Sequence, residues 1–244
     1  MPTSVVLVHG IRTSSTLWRA QVKYLHERGH SVVAVDLPGH GTRMDETFTL
    51  DGAFATIDQA VAQVSTDGPV LLVGHSMGGL VSIAYAASDA APQLAALVAA
   101  SCTAIPRGAG LAAYRTLAGL FDRLPDRGMW LSMQVLAATL PAETRIDFGA
   151  GGYALDAQDA TLKSLSELDL LSSLRRLKMP VWFVNGQFDQ LRMNERLFQR
   201  LVPDAELIVV PRTSHLVTAM RPEVFNAVLS VALATVEASA LSES

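Results

Sequence analysis

Three residues of the types that make an activated nucleophile follow one another along the chain: Ser76, Asp189 and His215. The serine sits in Gly74-His75-Ser76-Met77-Gly78, directly after the apolar run at 70–73 and just before the helical pattern "LVSIAYAAS". A G-x-S-x-G sequence between a strand and a helix forces the serine into a strained turn, and its neighbours must be small to clear adjacent chain. The hydroxyl is then held clear of the sheet, and the helix start offers unpaired N–H groups and a positive dipole end to a forming anion. Taken alone, the motif also fits a glycine-rich turn whose serine merely caps the helix.

A serine hydroxyl attacks only if a base takes its proton, and the base needs a third group to fix its tautomer. Of the histidines, His26 and His30 fall near the end of a surface helix, while His9, His40 and His75 occupy glycine-flanked turns. His215 differs, because it follows the last strand candidate, "AELIVV", in the loop "PRTSH" ahead of the final helix. Asp189 comes three residues after Gly186, where "VWFVNGQFDQ" leaves its strand. Its competing reading is a cap or Asx turn before "RMNERLFQRL". No acid follows the neighbouring run "LAALVAAS". An oxyanion needs two donors; the backbone N–H groups of Met77 and of Ile11, the latter in "VLVHGIRTS", are the candidates. His9 then ties the Ile11 loop down through its ring.

Something must bring these loops to one edge. Short β-branched runs at 4–8, 31–35, 70–73, 94–99, 181–184 and 206–210 alternate with amphipathic stretches such as "STLWRAQVKYLHERG", which Gly29 stops. That alternation predicts an α/β fold, a doubly wound, mostly parallel sheet with helices on both faces. The alternation lapses at 104–165, where "AAYRTLAGLFDRL" and "MWLSMQVLAATL" read as an inserted helical lid between core segments 1–103 and 166–244. Its apolar stripes, among them Leu111, Tyr114, Leu117, Phe121, Met129, Trp130, Met133 and Leu136, either pack on each other or line a pocket above Ser76. Phe121, Trp130 and Met133 are the candidate substrate contacts. The tail "EASALSES" reads as frayed.

A chain of 244 residues, half of them hydrophobic, has enough apolar surface for one domain with an insertion. The formal charge of −4 comes with no cluster of Lys and Arg able to neutralise a row of phosphates, which argues against nucleic acid as a partner. Apolar runs such as "AVLSVALATV" fall short of the roughly 20 residues of a membrane span. With no leader pattern at the start, a cytoplasmic location is expected. Cys102 is the only cysteine, so neither an intrachain disulfide nor a cysteine metal cluster is available.

The motifs "VLVHG", "VVAVDLPGHG", "LLVGHSMGG", "GQFD" and "TSH", in this order across nearly the whole chain, resemble the α/β-hydrolase fold superfamily, in its compact lid-bearing branch of esterases and lipases. The resemblance implies Ser76 as nucleophile, Asp189 as acid, His215 as base, and Ile11 with Met77 as oxyanion donors. Two departures stand out: the usual N-terminal antiparallel hairpin is absent, and Ser214 replaces the glycine common before the histidine. Relatives that open epoxides or displace halide carry aspartate at the nucleophile position, so Ser76 favours acyl transfer. The expected activity is hydrolysis of a small, largely apolar ester, thioester or lactone, with no metal or organic cofactor and a small molecule as partner. Carbon–carbon bond hydrolysis, hydroxynitrile lyase and perhydrolase chemistry share the fold, as do ligand-sensing receptors, and fold alone does not separate them.

Overall fold

The computed structural model describes residues 2–66, 68–89, 91–92 and 94–242. Six strands, β1 (Ser4–Val8), β2 (Val32–Val35), β3 (Val70–His75), β4 (Ala96–Ala100), β5 (Val181–Gly186) and β6 (Glu206–Val210), pair in the order β2-β1-β3-β4-β5-β6. Every pairing is parallel. β3 runs two residues past its β-branched run, because Gly74 and His75 still pair with Ala99 and Ala100. β4 starts two residues later than its apolar run, since Leu94 is buried without joining the ladder. In the middle of the sheet β1, β3, β4 and β5 are buried throughout. That is the condition in which a strand reads as an unbroken apolar run rather than an alternation.

Helices cover both faces. On one lie α2 (Leu50–Ser65), α3 (Met77–Ala86), α8 (Leu170–Arg176) and α9 (Glu195–Leu201), with Ile57, Val81, Leu174 and Phe198 packed on Val6, Leu72 and Phe183. On the other lie α1 (Arg19–His26) and α11 (Pro222–Ser242), whose Leu25, Phe225, Leu229 and Leu233 meet Val5, Leu7, Val73 and Val98. Alternate residues of each strand feed the two cores, as the pleat requires. The stretch expected to be frayed is helical through Ser242. Helix α11 also exceeds the apolar run read from sequence: Pro222–Leu241 has the length and mean hydropathy, 1.7, of a membrane-crossing segment. Here one of its faces closes a sheet core instead.

Between β4 and β5 the chain leaves the sheet through α4 (Gly108–Asp122), α5 (Met129–Thr139), α6 (Ala142–Gly149) and α7 (Gln158–Glu167) before α8 returns to the core. The short α10 (Val217–Met220) precedes α11. The side chains of Tyr114 and Leu117 in α4 lie outside the described residues.

The turn from β3 into α3 has no room for side chains at its glycines. A Cβ on Gly78 would strike the carbonyl oxygens of Val8 and His9, both backbone atoms that cannot swing away. Gly78→Ala should therefore lose about 1–3 kcal/mol to overpacking, more than the roughly 1 kcal/mol that alanine gains as a helix former. Thermal unfolding followed by circular dichroism should show a melting temperature several degrees lower. Gly119→Ala in α4, where an added Cβ meets nothing within 4 Å, should shift it slightly upward; a stable Gly78→Ala protein would show that the corner is not close-packed.

Candidate active site

Ser76 occupies the corner between β3 and α3 with φ 55° and ψ −118°. A non-glycine residue reaches that region only at an energetic cost. Its N–H donates to the Ala100 carbonyl at 2.8 Å and its carbonyl accepts from Leu80 N–H at 3.1 Å, which hold the strained turn in place. The side chain is turned outward to His215, whose Nε2 lies 2.9 Å from Ser76 Oγ. On the other side of that ring, Nδ1 lies 3.0 and 3.2 Å from the two carboxylate oxygens of Asp189. A carboxylate only accepts, so Nδ1 carries the proton and Nε2 is left free to accept from the serine hydroxyl. Burial pushes the Asp189 carboxyl upward, but the His215 ring and the Leu191 N–H, 2.8 Å away, outweigh it and hold the group below the ordinary carboxylate range. Asp189 is thus ionised where it faces the imidazole.

Two loops deliver the acid and the base, and they are bonded to each other. Gln187 N–H reaches the Val210 carbonyl at 3.0 Å, Phe188 N–H the Thr213 carbonyl at 2.9 Å, and Arg212 N–H the Gln187 side chain at 3.0 Å. Gly186 is required at this crossing because a Cβ there would run into the Ser214 carbonyl. The left-handed residue of the histidine loop is Arg212, φ 57°, so Ser214 needs no glycine-like backbone.

His75 was assigned to a turn by sequence reasoning, yet it supports His215 directly. Its Nε2–H donates to the backbone carbonyl of His215 at 2.9 Å, and its ring lies 5.2 Å from the His215 ring. Burial, then the neighbouring His215, lowers its pKa to about 4, so it stays neutral. His9 plays the matching part under the Ile11 loop: its Nε2 accepts from Leu37 N–H at 3.1 Å, which leaves Nδ1–H to donate to the Gly10 carbonyl at 2.8 Å. Burial lowers its pKa to about 3. Asp36 braces the same loop from β2, accepting from Ser15 N–H at 2.7 Å and from Thr42 N–H and O–H at 2.9 Å.

Ile11 and Met77 flank Ser76 and His215 at one cavity of about 440 Å³. Neither backbone N–H has an acceptor among the described residues, which leaves both available to a substrate oxygen. The insert forms much of the rest of the wall, through Leu111, Phe121, Met129, Leu131, Val135 and Leu162. Phe121 is therefore at the cavity, but Trp130 and Met133 are not. Trp130 is 69% exposed, and Met133 takes the Tyr153 hydroxyl on its sulfur at 3.4 Å. Helix α5 is apolar almost all round, so its sequence has no polar stripe to tell the cavity side from the outside. Among the described residues no group of three or more His, Cys, Asp or Glu side chains is placed to hold a metal ion.

The family model described as "Alpha/beta hydrolase family" matches residues 5–228. Methylesterase 4 of Arabidopsis thaliana is 32% identical over 177 residues, 70% of this chain and 65% of its own. The (E)-2-((N-methylformamido)methylene)succinate hydrolase of Acinetobacter baylyi is 35% identical over 81 residues, 32% of this chain and 30% of its own. The matches thus span less than two thirds of these relatives' lengths. The solved structure of an esterase from Exiguobacterium antarcticum superposes with a TM-score of 0.78 at 17% identity, covering 96% of this chain and 93% of that one, a likeness of fold.

Two outcomes follow from the geometry. Asp189→Asn should keep the fold but lose on the order of 10⁴ in kcat, because an amide favours the wrong imidazole tautomer; a variant that melts early yet keeps its specific activity would make Asp189 only a cap. The buried histidines set an acid limit. An unfolded histidine takes its proton near pH 6.5, whereas native His75 does so only at about pH 4. The unfolded chain therefore binds the extra proton between these values. Stability from this group is complete above pH 6.5 and is lost as pH falls towards 4, by roughly 3 kcal/mol. Urea midpoints at pH 7.5 and 4.5 should show the fall, and His75→Asn should make it shallower; an equal fall in both proteins would locate the sensitivity elsewhere.

Proposed function

Because this chain belongs to the Alpha/beta hydrolase family, we propose that it is a serine hydrolase that cleaves a carboxylic ester, or a related thioester or lactone, through an acyl-enzyme on Ser76. The observation that carries this reading is the continuous hydrogen-bonded line from Asp189 through His215 to Ser76, which ends beside two unoccupied backbone donors. His215 Nε2 takes the hydroxyl proton as Ser76 Oγ adds to the carbonyl carbon. The oxygen that becomes negative is received by the N–H groups of Ile11 and Met77, the latter at the positive end of α3. The imidazolium, stabilised by ionised Asp189, returns the proton to the leaving oxygen or sulfur. Water, activated by the same ring, then releases the acid. The methylesterase among the relatives supports an ester as the bond cleaved.

A cavity of about 440 Å³ walled mainly by Leu, Ile, Met and Phe side chains suits a small, largely apolar substrate. Each methylene it covers adds up to about 0.8 kcal/mol until the space is full.

A fluorophosphonate probe should label Ser76, and Ser76→Ala should abolish labelling and lower turnover by roughly four to six decades. Undiminished ester turnover in that variant would sink the mechanism. Across p-nitrophenyl esters from acetate to palmitate, measured below the micelle concentration, kcat/KM should rise to an optimum at medium length. A steady decline from acetate onward would mean that the insert closes down a smaller site.

A further inference from the structure

Arg12 stands in the wall of the cavity next in sequence to the oxyanion donor Ile11, and its chemistry does not fit its surroundings. It is the one permanently charged residue among the described residues that line this largely apolar space. Its Nε and Nη2 atoms are buried, and neither has a hydrogen-bond acceptor among the described residues. The nearest carboxylate is Asp122 in α4, 3.8 Å from Nη2, beyond hydrogen-bond range. That oxygen is already taken at 3.2 Å by Arg127, which also grips Asp156 and the Leu155 carbonyl. Two guanidine nitrogens buried without acceptors are costly, while the side chain as a whole stays 25% accessible in the wall of the cavity.

The backbone holds this side chain in place. Arg12 has φ 64°, in the left-handed region where glycine or asparagine would sit with less strain. Thr13 closes the turn, its hydroxyl donating to the Gly10 carbonyl at 2.8 Å, and Ala154 N–H bonds the Arg12 carbonyl at 3.3 Å. The loop is thus tied at two points, with Arg12 in the wall of the cavity that Ile11, Ser76 and Met77 also line.

We propose that Arg12 is a specificity-determining residue that binds a carboxylate on the substrate, so that the preferred ester has an apolar body and one free acid group. A planar fork of N–H donors matches a carboxylate in two parallel hydrogen bonds. A single cation in an apolar space neutralises one such charge, whereas a phosphate dianion would bring a second charge without a partner. The assignment deepens the ester-hydrolase reading and depends on it for the identity of the bond cleaved, but not for anion binding itself.

The test compares matched pairs in which one member carries a carboxylate where the other has a methyl group or a hydrogen. Mono-p-nitrophenyl glutarate against p-nitrophenyl pentanoate places the acid on the acyl side, and 4-acetoxybenzoate against phenyl acetate places it on the leaving side. In at least one pair the acid should be preferred by about 10- to 100-fold in kcat/KM, the worth of hydrogen bonds to a charged group. Arg12→Gln should remove that preference, chiefly through KM, while leaving the neutral ester within about threefold, and Arg12→Lys should restore part of it. Asp122→Asn separates recognition from a latch on α4: the preference survives if Arg12 serves the substrate. Equal loss on neutral and acidic esters in Arg12→Gln, matched by Asp122→Asn, would overturn the proposal in favour of a structural pin, as would the absence of any preference in the parent protein. A readout without turnover covers failure of the hydrolase reading: pentanoate, an apolar chain with one carboxylate, at millimolar concentration should raise the melting temperature of Ser76→Ala but not of the Ser76→Ala/Arg12→Gln protein. No pentanoate effect on Ser76→Ala would refute anion binding even if esters were hydrolysed.

Discussion

The site depends on how closely three pieces of backbone cross beneath Ser76. The start of α3 presses on the end of β1 at Gly78, the last turn of β3 presses on α3 at Gly74, and Gly79 packs against Cys102. None of the three contacts has space for a methyl group. This crowding holds the start of α3 under Ser76 and fixes that residue in a conformation that an isolated peptide would leave. The cost of that strain falls on the fold, and the surrounding burial over-determines it. Cys102 shares the same burial, which pushes its thiol far up and leaves it protonated, a filler beside the corner rather than a second nucleophile.

Parallel strands end on one side of a sheet, and loops after different strands therefore converge there. The loop after β1 brings Ile11, the corner after β3 brings Ser76, the loop after β5 brings Asp189, and the loop after β6 brings His215. Convergence to within a few ångströms still leaves orientation to be set, and the two buried neutral histidines set it. His75 fixes the backbone of His215, and His9 fixes the loop of Ile11. Each is useful because it is neutral: a charged ring in either place would demand solvation that the packing excludes. The geometry that orients His215 and the stability loss expected in acid have the same origin.

The strands and the Ser76, Asp189 and His215 positions were legible in the sequence because their signals are local. A run of apolar residues followed by glycine says where a buried strand stops and a turn begins, and Gly74, Gly186 and Gly10 each say so. Strand ends were less legible, since pairing at Gly74 and His75 depends on the partner strand rather than on local propensity. The role of His75 was hidden, because a hydrogen bond to a residue 140 positions away leaves no mark in its neighbourhood. The cavity-facing side of α5 was hidden for another reason. Where Met129, Trp130, Leu131, Met133, Val135 and Leu136 surround a helix with apolar groups, periodicity carries no direction, and Trp130 was placed inward when it faces out. Arg12 was hidden as well, since only the tertiary structure shows two of its guanidine nitrogens buried without acceptors.

The insert is anchored unevenly, and this bears on how activity and selectivity divide. Leu136, Leu140 and Phe148 join the sheet core, Gly151 N–H reaches the Thr16 hydroxyl at 3.2 Å, and Arg107 binds the carbonyls of Ser166, Glu167 and Leu168 to close the neck. By contrast no described side chain of α4 is buried, and Leu120, Trp130 and Val135 are more than half exposed. Ser76 thus rests on close-packed backbone, whereas part of the cavity wall rests on a helix with no described side chain buried. A change in α4 or α5 can reshape what fits above Ser76 without passing strain to the corner that holds it. Arg12 stands where the two parts of that wall meet. Its carbonyl is tied to Ala154 in the insert, and the Thr13 hydroxyl beside it to Gly10 in the core.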